Sequence, residues 1–292
     1  MRDRILARLV MSTMRKCSYK EAMWRHLAAY KRSTLGVNGD GIWRPAGKHY
    51  PHILPFGYQH LNILEPYRED FWRFFRNSTI TLHSDFHHLS SSQAMCFNLF
   101  YPFLAEERRH LQVLGAVFSL KEAVEDAEFE CIADPVEGTN FDFCITSKSK
   151  KFFELKFTEE QFGTAKADES HLTKFQNVYL PMMEGKFKPD LASCEVFLKH
   201  YQLMRNVWSL GINTSDSLAC IVPRANGRLA EGIAFLGECL TEPYRERVKV
   251  YYLEDFVVTL EKSIPRDLHR MRENLRLFRE KYLPDVPIQS AH

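Results

Sequence analysis

The sequence predicts an α/β fold in which helices pack on a central sheet. Apolar residues follow helical spacing up to about residue 125, alternate with a period of two from Glu128 to Phe157, and return to helical spacing after Gly163. A continuous apolar run from Leu218 to Val222 then reads as a strand covered on both faces. A length of 292 residues with 45% hydrophobic content suffices for one large core or two small ones.

The elements follow in order. Residues 1–32 read as a helical, strongly basic segment, with nine Lys or Arg against Asp3 and Glu21. Gly, Pro, Asn and His are dense from Gly36 to Pro66, which predicts irregular structure. A serine cap near Ser90 to Ser92 starts a helix carrying Met95, Phe97, Leu99, Phe100 and Phe103, with Pro102 expected to kink or end it. A second helical stretch is expected from Glu106 to Glu125. Strands follow at Glu128–Ala133, Phe141–Thr146 and Lys151–Phe157, the last two joined by a polar turn, Ser147 to Lys150. Helical pattern resumes from Gly163 to Met183 and from Cys194 to Leu210. Val248–Leu253 is a fifth strand, and Arg266–Tyr282 a basic C-terminal helix. This divides the chain into a helical and irregular basic extension, 1–85, and an α/β domain, 86–292.

Composition narrows the function classes. The 39 basic and 37 acidic residues nearly cancel, so any polyanion must be met by local clusters. Seven cysteines without a CxxC pair read as reduced and mostly buried, which points to a cytoplasmic protein. The N-terminal apolar stretch is too short for a secretory signal, and no segment has the roughly 20 apolar residues of a membrane span. No Walker loop, GxGxxG or GxSxG is present. His83, Asp85, His87 and His88 are of zinc-ligand type but lack a fourth-ligand motif, and a polar loop explains them as well.

The chemistry sits in the strands. Phe152, Glu154 and Lys156 share one side of their strand, opposite Phe153, Leu155 and Phe157, while Asp142, Cys144 and Thr146 alternate with Phe141, Phe143 and Ile145. If the two strands form a hairpin, Asp142 faces Glu154 at roughly 5 to 8 Å. Same-face pairing needs an even sum of residue numbers, so the turn must have an odd loop or a bulge. Two carboxylates that close call for a cation between them, and hard oxygen ligands suit Mg²⁺, with Mn²⁺ as a substitute. Lys156 would orient water or neutralise a phosphate, which is the machinery of phosphodiester hydrolysis.

Asp142, eleven intervening residues, then Glu154-Leu155-Lys156 resembles the PD-(D/E)XK nuclease superfamily. The phrases EGTNFDFCITSKSKKFFELK at 137–156 and SSQAMCFNLF at 91–100 are similar, more narrowly, to a bacterial set described as restriction endonucleases. Phe141 stands where proline gives the superfamily its name. The resemblance implies an αβββαβ core around a mixed sheet. It also implies Asp142, Glu154 and the Leu155 carbonyl as metal ligands, and Lys156 as catalytic base or water-orienting group. Gln93 falls where relatives place a helper residue facing the metal. Gln176 and Tyr179 fall where relatives carry a substrate-side glutamine and tyrosine, one residue closer than QxxxY, although core packing accounts equally for Tyr179. Glu137 is either a further ligand or a solvated turn residue.

The expected activity is restriction-type DNA cleavage with Mg²⁺, the basic arm and tail holding the duplex backbone. A homodimer is expected because cutting both strands needs two centres. The same core serves repair and junction nucleases, and the rival from another class is a non-catalytic DNA-binding or assembly module.

Overall fold

The computed structural model describes residues 17–106, 110–120, 122–134, 137–211 and 215–284. Helix α1, Tyr19–Ser33, opens with a reciprocal capping box between Ser18 and Glu21 that satisfies two of its free backbone donors. A two-stranded ribbon, β1 Gly41–Trp43 and β2 Lys48–Tyr50, lies within the irregular stretch. Helix α2 is Arg68–Arg76 and α3 is Ser92–Ala105, its cap Ser91 accepting from Ala94 N–H. A short helix α4, Leu111–Val117, precedes the sheet.

The sheet is β3 Asp126–Ile132, β4 Asn140–Thr146, β5 Lys150–Leu155, β6 Ser217–Val222 and β7 Val248–Tyr252, in that spatial order. The first three strands are antiparallel; β5–β6 and β6–β7 are parallel, so the sheet is mixed. Helices α5 Glu169–Lys174, α6 Cys194–Lys199 and α7 Tyr201–Trp208 cross from β5 to β6. Helices α8 Ala230–Cys239 and α9 Glu242–Arg247 cross from β6 to β7, and α10 Leu253–Ser263 and α11 His269–Tyr282 follow. Among the described residues no helix is long and apolar enough to cross a membrane.

Each sheet face is covered. Phe143, Ile145, Phe153, Leu155, Ala219 and Ile221 pack under α3, α10 and α11, with Phe100 stacked on Phe143 at 4.3 Å. Each such fully buried phenylalanine stabilises the fold by about 1.5–3 kcal/mol relative to an exposed one. Met23 and Leu27 of α1, Leu54, and Phe71 of α2 belong to this same cluster, so the segment before residue 86 shares the sheet's core. Cys144, Phe152, Leu218, Cys220 and Val222 face the other way, against α6, α7 and α8.

Several expectations need correction. Of the helix expected over 106–125, residues 107–109 and 121 lie outside the described residues, and the described part holds α4 and then turns at Ser119, which has φ +53°. Pro102 does not end helix α3, which continues to Ala105. The stretch after Gly163 becomes helical only at Glu169 and passes into a π-helical turn, Phe175–Tyr179. Residues 194–210 form two helices, because His200 leaves helical geometry at φ −112°, ψ +36°. The basic segments are also less available than their composition implies. Lys31 is fully buried and donates to Gly39 O, Asp40 and Ile53 O; Lys281 is fully buried on Asn62. Arg270 pairs with Asp70, Arg276 with Glu273 and Arg279 with Glu261. Arg2, Arg4, Arg8, Arg15 and Lys16 lie outside the described residues.

Candidate functional site

Strands β4 and β5 pair with Phe143 opposite Phe153 and Thr146 opposite Lys150, leaving a three-residue loop, Ser147 to Ser149. The loop is odd, as same-face pairing demands. One residue past the last pair, the same register sets Asp142 opposite Glu154. The ladder opens there: the Leu155 N–H, whose rung should continue to β4, is taken by Asp142 Oδ2 at 2.6 Å. On the other side of β4, pairing with β3 skips one position between Phe129↔Phe143 and Cys131↔Phe141. The skipped residue is Glu130, which has φ +54°. Its register partner is Asp142, so Glu130, Asp142 and Glu154 form a row across three strands.

That irregularity corrects one reading of β4. Phe141 does not share a side with Phe143; it stacks on Phe152 at 4.4 Å in the opposite cluster, because both strands twist at the skipped position. On β5 the expected alternation holds. Lys156 lies one residue beyond the strand, although its N–H still bonds Ile221 O at 3.0 Å.

Glu154 is buried, at 2% exposure, yet every oxygen is satisfied. Oε1 accepts from Gln202 Nε2 at 2.7 Å and meets Lys156 Nζ at 2.9 Å; Oε2 accepts from Asn206 Nδ2 at 3.0 Å. Gln202 also accepts from Lys156 Nζ at 2.9 Å, so one amide links both ions. Desolvation and then the Glu154 charge push the Asp142 pKa well above the usual carboxylate range. Burial opposes the charge on Lys156, but Glu154, Glu159 and Asp142 outweigh it and keep the ammonium protonated.

The other expected residues separate into two groups. Gln93, 1% exposed, reaches the row: its Nε2 donates to Glu130 Oε1 at 2.7 Å, and its Oε1 accepts from His83 N–H at 2.9 Å. Glu137 belongs to another cluster. It accepts from Tyr179 OH at 2.6 Å, Arg205 Nε at 2.9 Å, Lys174 Nζ at 3.1 Å and the Thr139 hydroxyl. Burial alone would raise the Glu137 pKa, but the bonds from Thr139, Tyr179 and Arg205 bring it down to about 2. Glu137 is therefore a buried anchor for α7 and the π-helical turn, not a solvated turn residue. Tyr179 is fully buried in that anchor, and Gln176, three residues earlier, is exposed.

Residues missed from sequence are Glu130, Gln202 and Asn206. Glu130 sits among alternating residues of β3 that read as an ordinary solvated face. Gln202 and Asn206 carried a usable signal: two amides at i, i+4 on a helix whose neighbours Leu203, Met204 and Val207 are core. Glu128, Cys131 and Cys144 place one ligand atom each within 4.8 Å of one another, and form the one such group of three or more among the described residues. Glu130, Asp142 and Glu154 are more widely spread, and the His83–His88 cluster does not converge. None of the seven cysteines is in a disulfide, and five are buried.

The fold and site define a mixed α/β protein with a row of carboxylates and a lysine where an antiparallel hairpin opens. The chain belongs to the family described as Restriction Endonuclease associating with ARP, whose model matches residues 24–283. No curated protein and no solved structure matches it.

Proposed function

We propose that the chain is a divalent-metal-dependent endodeoxyribonuclease of restriction type, with a PD-(D/E)XK arrangement at Asp142, Glu154, Leu155 and Lys156. The observation that supports this most directly is the register of β3, β4 and β5, which lines up Glu130, Asp142 and Glu154 and sets Lys156 beside them. The donor set fits Mg²⁺ or Mn²⁺, being carboxylate oxygens and the Leu155 carbonyl, all hard ligands. When bound, the cation would activate water and stabilise charge on a phosphate oxygen.

The protein's own groups supply the rest. Asp142 and Glu154 would hold the ion, and Gln202 and Asn206 fix the rotamer of Glu154. Lys156 is a point charge at hydrogen-bond distance from Glu154, placed to orient the attacking water and neutralise the phosphate. Gln93 acts through Glu130 as a positioning residue. Glu137 and Tyr179 hold α7, and so Gln202 and Asn206, against the sheet. Gln176 is available on the surface for a substrate contact. The substrate is DNA in a cytoplasmic setting, the family name points to association with ARP, and a homodimer supplies two centres for a double-strand cut.

Supercoiled and linear DNA incubated with Mg²⁺, Mn²⁺ or EDTA tests this, wild type against Lys156→Ala. Discrete fragments that EDTA abolishes and Lys156→Ala slows by about 10²-fold or more are expected. Mononucleotides would make it an exonuclease. DNA bound but uncut under every condition would identify a non-catalytic module.

A further inference from the structure

Between α1, the β1–β2 ribbon and the N-terminus of α3 lies a cleft of about 540 Å³, a volume that accommodates one nucleoside. Aromatic rings line it. Trp24 stacks on His52 at 4.3 Å and 10°, and Tyr50 stands between them and Trp43, a residue 37% exposed. One wall residue carries a buried ring nitrogen with no hydrogen-bond partner, Trp24 Nε1, while the buried His88 Nε2 faces Asp85 Oδ1 at 3.6 Å. An unsatisfied buried polar atom costs free energy unless something binds it. Asp85, Glu159 and the hydroxyls of Ser90, Ser91 and Ser92 complete the polar lining.

The cleft adjoins the carboxylate row at two points. His83 lines it and donates its N–H to Gln93, which bonds Glu130. Glu159 lines it and lies close enough to Lys156 to favour its charge. The charge pattern selects the chemical class of ligand. Among the described lining residues Lys20, above the Trp24 ring, is the one Lys or Arg, while Asp85 and Glu159 repel a phosphate. Carboxylates, hydroxyls and a free indole N–H suit the edge of a heteroaromatic ring, and the aromatic walls suit its faces.

We infer that this cleft takes one unstacked nucleobase of the DNA strand presented to the carboxylate row. The protein would then act on DNA with an unpaired or extruded nucleotide beside the bond to be cut, since a stacked, paired base cannot enter. This deepens the nuclease reading and rests on it for the identity of the polymer.

The test uses the full chain in EDTA, so that affinity is read without cutting. Probes are a labelled duplex with one bulged adenine, the same duplex with an abasic bulge, a fully paired duplex, and a single strand with or without one abasic position. Base stacking predicts the bulged base to bind about 5- to 150-fold tighter than the abasic bulge. Trp43→Ala should shrink that ratio towards one and leave the paired duplex unaffected, while Trp43→Phe keeps most of it. A wild-type ratio near one, or a ratio that survives Trp43→Ala, overturns the inference. The abasic comparison needs no variant, so it decides the matter even if Trp43→Ala fails to fold. A preference confined to the bulge identifies an extruded base, and one shared with the single strand identifies any unpaired base. Cleavage with Mg²⁺ is scored separately: cutting without base preference leaves the nuclease reading and removes this one, and base preference without cutting does the reverse.

Discussion

Gln202→Leu isolates the amide that ties Glu154 to Lys156. The substitution is close in volume, so it removes hydrogen bonds without opening a large cavity. Two bonds to charged groups are lost, at 2.7 Å to Glu154 and 2.9 Å from Lys156, each of a kind that contributes about 1.5–3 kcal/mol. The direct Glu154–Lys156 contact at 2.9 Å and the Asn206 bond at 3.0 Å remain, which limits the net loss to about 2–4 kcal/mol. For a chain of this size each kcal/mol moves the melting temperature by about 2–4 °C, so a fall of roughly 4–16 °C is expected. Glu154 would also gain rotamer freedom, so kcat should fall about 10- to 100-fold with KM nearly unchanged, the pattern of an interaction needed in the transition state. Thermal denaturation and cleavage at saturating DNA measure the two effects. A melting temperature within about 1 °C of wild type would refute the energetic argument. A lowered melting temperature with kcat per folded molecule unchanged would leave Gln202 a structural residue only.

Two further outcomes follow from the same geometry. Gly163 has φ +130°, and a Cβ there would lie 3.1 Å from Gln202 Oε1 and 3.2 Å from its Cβ. Gly163→Ala should therefore cost about 1–3 kcal/mol in urea denaturation and act less than additively with Gln202→Leu; unchanged stability would show that the loop yields freely. Lys186 is fully buried, and desolvation, helped by Arg247, lowers its pKa to about 8. The unfolded value is about 10.4, so between these pH values the unfolded chain binds more protons and stability rises with pH by up to about 1.4 kcal/mol per unit. Lys186→Met lacks this contribution, so its gain in stability between about pH 7.5 and 9.5 should be smaller than that of wild type, and equal gains would rule the coupling out.

The legible part of the site was local. Alternation along residues 152–157 placed Glu154 and Lys156 on one side of a strand, and parity required an odd hairpin loop or a bulge, of which Ser147 to Ser149 provide the odd loop. Glu130 was not legible, because an acid at an alternating position is equally a solvated residue until the register with Asp142 is known. Sequence alone leaves Glu137 as either a ligand or a turn residue, because its burial depends on Tyr179, Arg205 and Lys174, each at least 37 residues away. The basic helices misled for a related reason. A lysine's composition is the same whether it faces phosphate or, as with Lys31 and Lys281, satisfies buried carbonyls.

The sequence by itself determined the α/β class, the serine cap of α3, the order of strands around the ExK motif and the side on which its charges project. These depend on neighbours within a few residues, where backbone periodicity dictates side-chain direction. The tertiary structure decided which groups meet: the skipped position at Glu130, the reach of α7 to Glu154, and the cleft between α1 and α3. Those contacts join residues from twelve to more than a hundred positions apart, and only the packing of both sheet faces sets their distances.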